Sequence, residues 1–108
     1  MPMVLWGHLA WHPAAAAWRD VAPTAPAPEC IEVLRQENGT AVYRLIGVGP
    51  GGAPILARRS RIARALVERI LYQQIVPRLP VTAPRYHAFR AAGPGLAWVF
   101  LQESGDGG

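Results

Sequence analysis

Pro54-Ile-Leu-Ala-Arg-Arg, residues 54–59, runs directly into Ser60–Val76, and the reading of this junction decides the fold. Pro54 to Arg58 is a short apolar run ending on a basic residue, which predicts a strand. Ser60 offers an N-cap side chain. Beyond it Ile62, Ala63, Leu66, Val67, Ile70 and Leu71 recur at helical spacing and form one apolar arc. The helix is expected to end before Pro77, because proline biases the residue before it away from helical backbone. Between Glu37 and Glu103 the only acid is Glu68, which the helical wheel sets among Arg61, Arg64 and Tyr72.

Working upstream, Cys30 to Gln36 predicts a strand with Ile31, Val33 and Arg35 on one side. Glu37-Asn38-Gly39-Thr40 follows as a hairpin turn, Asn-Gly being the strongest short-range signal for one. Ala41 to Val48 resumes strand character, and Gly49-Pro50-Gly51-Gly52 is a second turn. Downstream, Leu79-Pro80 and Ala83-Pro84 mark an extended crossover. Pro84 to Ala91 predicts a fourth strand and Gly93-Pro94-Gly95 a turn. Leu96 to Gln102 predicts a fifth strand, apolar on both faces and therefore covered. Three strands, one main helix and two strands imply an α+β domain: an antiparallel five-stranded sheet with the helix on one face.

The chain ahead of this pattern differs in composition. Residues 1–21 hold Trp6, Trp11 and Trp18 with His8 and His12, and Pro13 can open a short helix. This is read as a helical arm packed on the domain. Residues 22–28, APTAPAP, read as a polyproline-like linker. The domain itself is placed at 29–106.

With 108 residues, the chain holds at most one modest domain. The formal net charge is +4, and every basic residue is arginine. A solvated basic surface accounts for this charge. Nucleic-acid binding is disfavoured, because the arginines from 58 to 69 have no aromatic stacking platform among them. The single Cys30 excludes an internal disulfide and fits a reducing cytoplasm. No run approaches the ~18 apolar residues of a membrane span. His8, Trp11 and His12 do not make a metal site, having Pro13 beside them and no third ligand close by, and no Ser-His-Asp set can be read.

Several stretches together, Val42-Tyr-Arg-Leu, Ile55-Leu-Ala-Arg, Glu68-Arg-Ile-Leu-Tyr, Leu79-Pro-Val-Thr-Ala-Pro-Arg-Tyr and Trp98-Val-Phe-Leu-Gln-Glu, resemble the N-terminal lobe of the aminoglycoside phosphotransferase family, within the protein-kinase-like fold. The likeness covers about residues 30–106. It implies a nucleotide-binding lobe taking ATP with Mg²⁺, in which Asn38, Gly39 and Thr40 cover the phosphates. The family's phosphate-contacting lysine falls at Arg58, and its helix glutamate at Glu68. Arginine keeps the charge but presents a broad planar fork in place of a compact ammonium. Gln102, Glu103 and Ser104 would form the hinge beside adenine, with Val42, Ala57 and Leu101 as apolar walls. The residues alone leave alternatives. The 38–40 turn is also an ordinary hairpin turn. At about 100° per residue, Glu68 lies roughly 150° from the centre of the apolar arc, which suits a solvated side chain with Arg64 as its i,i+4 partner.

The catalytic aspartate and metal-binding Asn and Asp of that family belong to a C-terminal lobe with no counterpart in this sequence. The expectation is thus a truncated or stand-alone lobe, with no catalytic residue of its own, that meets a C-lobe-like partner chain or self-associates. The alternative is a small basic α+β interaction module that docks through the helix and binds no nucleotide.

Overall fold

The computed structural model describes residues 3–37, 39–80 and 84–103. It is an α+β fold with one antiparallel six-stranded sheet and two helices. In chain order these are β1 (Met3–Trp6), α1 (Pro13–Val21), β2 (Cys30–Glu37), β3 (Thr40–Leu45), β4 (Ile55–Arg61), α2 (Ile62–Ile70), β5 (Arg85–Ala91) and β6 (Leu96–Gln102). The sheet order is β1-β2-β3-β4-β6-β5.

The expected strand count of five is corrected to six. The added strand, β1, is four residues long and pairs with β2 from Met3 opposite Val33 to Trp6 opposite Cys30. Its backbone partners lie nearly thirty residues away, so no local pattern announces it.

Alternation along the strands divides the sheet into two faces. On one face Ile31, Tyr43, Leu45, Ile55, Ala57, Trp98 and Phe100 pack with α1 into the main core. Pro13 occupies the first turn of α1, as the sequence predicts, while His12 caps it by accepting the Ala14 N–H at its Nδ1, 3.1 Å away. Ala14, Ala15, Ala17 and Trp18 form the buried side of this helix. Trp18, 4 % exposed, lies 5.2 Å from the Phe100 ring and donates its indole N–H to the Val48 carbonyl. Burying an aromatic of this size is worth about 1.5–3 kcal/mol.

The turns obey their sequence signals. Gly39 sits at φ +76° in the β2–β3 hairpin, the left-handed region that glycine enters without steric cost. At Gly49 a Cβ would come within 2.5 Å of the Ala53 carbonyl oxygen, so the turn into β4 has no room for a side chain. A bulge between Val33 and Arg35 turns Arg35 to face the side of Val42, not that of Ile31 and Val33 as the simple alternation predicts.

The other face carries α2, and here the expected helix is corrected at its start. Ser60 is not a helix cap. It is buried within β4 opposite Ala97, and the strand continues to Arg61. The helix runs to Ile70 and then loosens into a π turn at Leu71–Ile75 and a 3₁₀ turn at Val76–Arg78.

Candidate functional site

Two residue rows cross the α2 face of the sheet. One runs Glu32, Arg44, Leu56, Leu101 and Tyr86 across successive strands, and the next runs Val42, Arg58, Val99 and Phe89. The helix covers the β6 side of these rows, where Ala65 packs with Ala97, Val99 and Leu101, and Tyr72, Tyr86 and Phe89 close the cluster. The β2–β3 side of the same face carries no helix in the described residues.

Where helix and open sheet meet, Arg58 Nε on β4 lies 2.9 Å from Glu68 Oε2 on α2. Their side chains are 25 % and 12 % exposed. The solvated placement of Glu68 beside Arg64 is therefore corrected: its carboxylate turns in toward the sheet. The pairing with Arg58 that the family resemblance implies is present in the geometry. The contact is close but poorly aligned, so Arg58 Nε and Glu68 Oε1 are both buried without a hydrogen bond. Such unsatisfied buried groups cost about 1–3 kcal/mol each.

Leu56 lies one row further along from Arg58 and forms an apolar floor with Val42 beside it, whereas Leu101 in the same row is buried under α2 and is corrected out of the wall. Ala57 is corrected out of this wall. It belongs to the core on the opposite face, fully buried among the residues under α1. Strand alternation puts Leu56, two residues before Arg58, on the Arg58 face and Ala57 on the other.

Arg44 organises the near end of the face. Its Nε lies 2.6 Å from Glu103 Oε1 and its Nη1 2.6 Å from Glu32 Oε1. The hydrogen bonds to Glu103 and then Glu32 hold this guanidinium's pKa above its ordinary value, against the effect of burial. Glu103 also donates its backbone N–H to the Pro54 carbonyl. Gln102 projects to the other face, where its Oε1 is 2.8 Å from His87 Nε2. The structure thus separates the two described hinge residues, Glu103 toward the candidate site and Gln102 toward the core under α1. Asn38 and Ser104 lie outside the described residues, while Gly39 stands in the turn and Thr40 begins β3 at the far end of the open face.

No group of three His, Cys, Asp or Glu among the described residues is gathered to hold a metal ion. His12 is committed elsewhere, its ring edge-on to Tyr43 at 4.6 Å and its Nδ1 occupied by the α1 cap. Burial, and secondarily the charge of Arg59, hold its pKa below the ordinary value.

In comparisons with family models, curated proteins and solved structures, nothing matches this chain. No described helix is long and apolar enough to cross a membrane.

Proposed function

We propose that this chain is the nucleotide-binding lobe of a kinase-like phosphotransferase of the aminoglycoside phosphotransferase type, holding Mg-ATP on the open half of the α2 face. The observation that carries the reading is the Arg58–Glu68 pair, joining the strand before the helix to the helix itself. Kinases use a basic residue on the third strand of this lobe, paired to a helix glutamate, to hold the nucleotide phosphates. The order of three strands, helix and two strands from β2 to β6 supports the same reading. In this reading Arg58 meets the phosphates, the Gly39–Thr40 turn covers them, and Leu56 and Val42 wall the base.

The chain's acids at this face are already paired with arginines, so Mg²⁺ would arrive with the nucleotide. Phosphoryl transfer would need a second lobe to supply the catalytic base and metal ligands. In this reading residues 30–103 bind the nucleotide and leave catalysis to that second lobe.

Thermal unfolding with and without saturating Mg-ATP tests this, beside an Arg58→Ala variant. A rise in Tm that the variant loses is the expected result. A flat response in the parent chain, together with unchanged amide exchange at 39–40, 55–58 and 101–103, refutes nucleotide binding.

A further inference from the structure

We propose that the outward side of α2 and its trailing turns is a docking surface for an acidic amphipathic helix of a partner protein. The inference does not depend on nucleotide binding: the apolar crest lies on the opposite side of the helix from Glu68, and only the socket at its end borders the sheet face, through Tyr72 and Tyr86.

The apolar arc of α2 does not face the sheet. Ala65 is the only fully buried residue of the helix, while Val67 is 66 % and Ile70 51 % exposed. Ile62 and Leu66 extend this crest toward the helix N-terminus, and Ile75 and Leu79 extend it along the following turns. So many exposed large apolar side chains along one helix and its trailing turns mark an interaction site. The helix attaches to the sheet by a small residue and an ion pair, and leaves its hydrophobic side to something else.

Charge and shape select the occupant. Arg64 and Arg69 flank the crest on either side, and exposed Arg78 and Arg85 stand at its far end. From residue 62 to residue 80 the one acid is Glu68, and it is turned inward. A second copy laid crest to crest would set arginines against arginines with no carboxylate between them. A partner with acidic flanks is complementary instead. Where Leu79 ends the crest, Tyr72, Val76, Leu79, Arg85 and Tyr86, with two prolines, line a socket of about 210 Å³. A discrete socket of apolar and aromatic walls with one arginine at its edge suits one anchoring side chain of a protein partner, in the manner of interface hot spots. A lipid surface has no use for a socket. An amphipathic helix with apolar residues at i, i+3, i+4 and i+7 and glutamates on its flanks offers both features.

The test titrates the full chain with a synthetic helical peptide of that design, and with the same peptide carrying lysine for glutamate, while backbone amide shifts are followed. The expected result is binding of the acidic peptide alone, with shifts confined to residues 62–80 and 84–86 and an affinity that falls as salt rises. A Leu66→Ser/Ile70→Ser variant weakens binding at least tenfold. A charge-reversed Arg64→Glu/Arg78→Glu variant switches preference to the lysine peptide, an outcome that a misfolded chain cannot give. Equal binding of both peptides, shifts elsewhere, or crest variants without effect would overturn the proposal. So would sedimentation showing a dimer through this face, or binding to phosphatidylglycerol vesicles by a chain that ignores the acidic peptide.

Discussion

Arg58 and Arg59 are neighbours in sequence and stand on opposite sides of the sheet. Arg58 reaches Glu68 under α2, whereas the Arg59 guanidinium lies over the Trp98 ring, 5.5 Å from its centroid, on the side of α1. The central strand β4 therefore carries a partly buried cation on each face, each held by a different kind of partner.

The Arg58–Glu68 pair should be costly to break from one side and cheap to replace as a unit. Arg58→Met leaves a carboxylate that is 12 % exposed without its cation. The expected loss is about 1–3 kcal/mol, below that of a fully buried pair because Arg58 keeps solvent contact. Urea unfolding of Arg58→Met, Glu68→Met and the double variant should show the double variant losing less than the sum of the singles. Strict additivity would mean that the pair is not coupled.

Trp18→Ala removes the largest side chain of α1 from its seat on Phe100. A loss of about 3–5 kcal/mol is expected from the cavity and the lost transfer energy. Trp6→Ala, at a residue 72 % exposed, should change stability by less than about 0.5 kcal/mol. Chemical denaturation of the two variants makes the comparison. Similar losses would show that α1 does not dock as described.

His12 gives the fold an acid-sensitive element. Its pKa is held below the ordinary 6.5 in the folded chain, so the unfolded chain binds more protons as pH falls through that value. The contribution is complete above about 6.5 and declines as pH drops toward the folded value. His12→Asn keeps an N-cap acceptor and should flatten the fall in Tm as pH drops below about 6.5. An unchanged slope would place the acid sensitivity on other groups.

Substitutions on the crest should leave the fold intact. Val67→Ser and Ile70→Ser are expected to change stability by within about 0.5 kcal/mol, since both side chains are largely exposed. Loss of more than about 2 kcal/mol in either would mean that this face is packed in solution.

The sequence announced those parts of the fold whose causes are local. Asn-Gly marked the β2–β3 hairpin, Pro13 marked the start of α1, and the apolar run 96–102 fell on β6. The helix was misread in a way that has a physical reason. Periodicity from Ile62 to Leu71 identifies an apolar face but not what covers it. Orientation was decided by Ala65, small enough for close approach to β6, and by Glu68, whose cation waits on the sheet. Ser60 has the chemistry of a cap, yet pairing with β6 as far as Leu96 carried the strand past it. The Glu32–Arg44–Glu103 cluster was illegible for another reason: one of its members comes from the far end of the chain.

The seat of Trp18 on Phe100 also bears on how the chain is made. During synthesis α1 emerges well before the Phe100 ring its tryptophan covers, which is added roughly 80 residues later, an interval of about 4–16 s at usual elongation rates. For that time Trp18 has the β2–β4 side of its core and the Val48 carbonyl to meet, and lacks its aromatic seat. A ribosome stalled before β6 would hold out a tryptophan covered on one side alone.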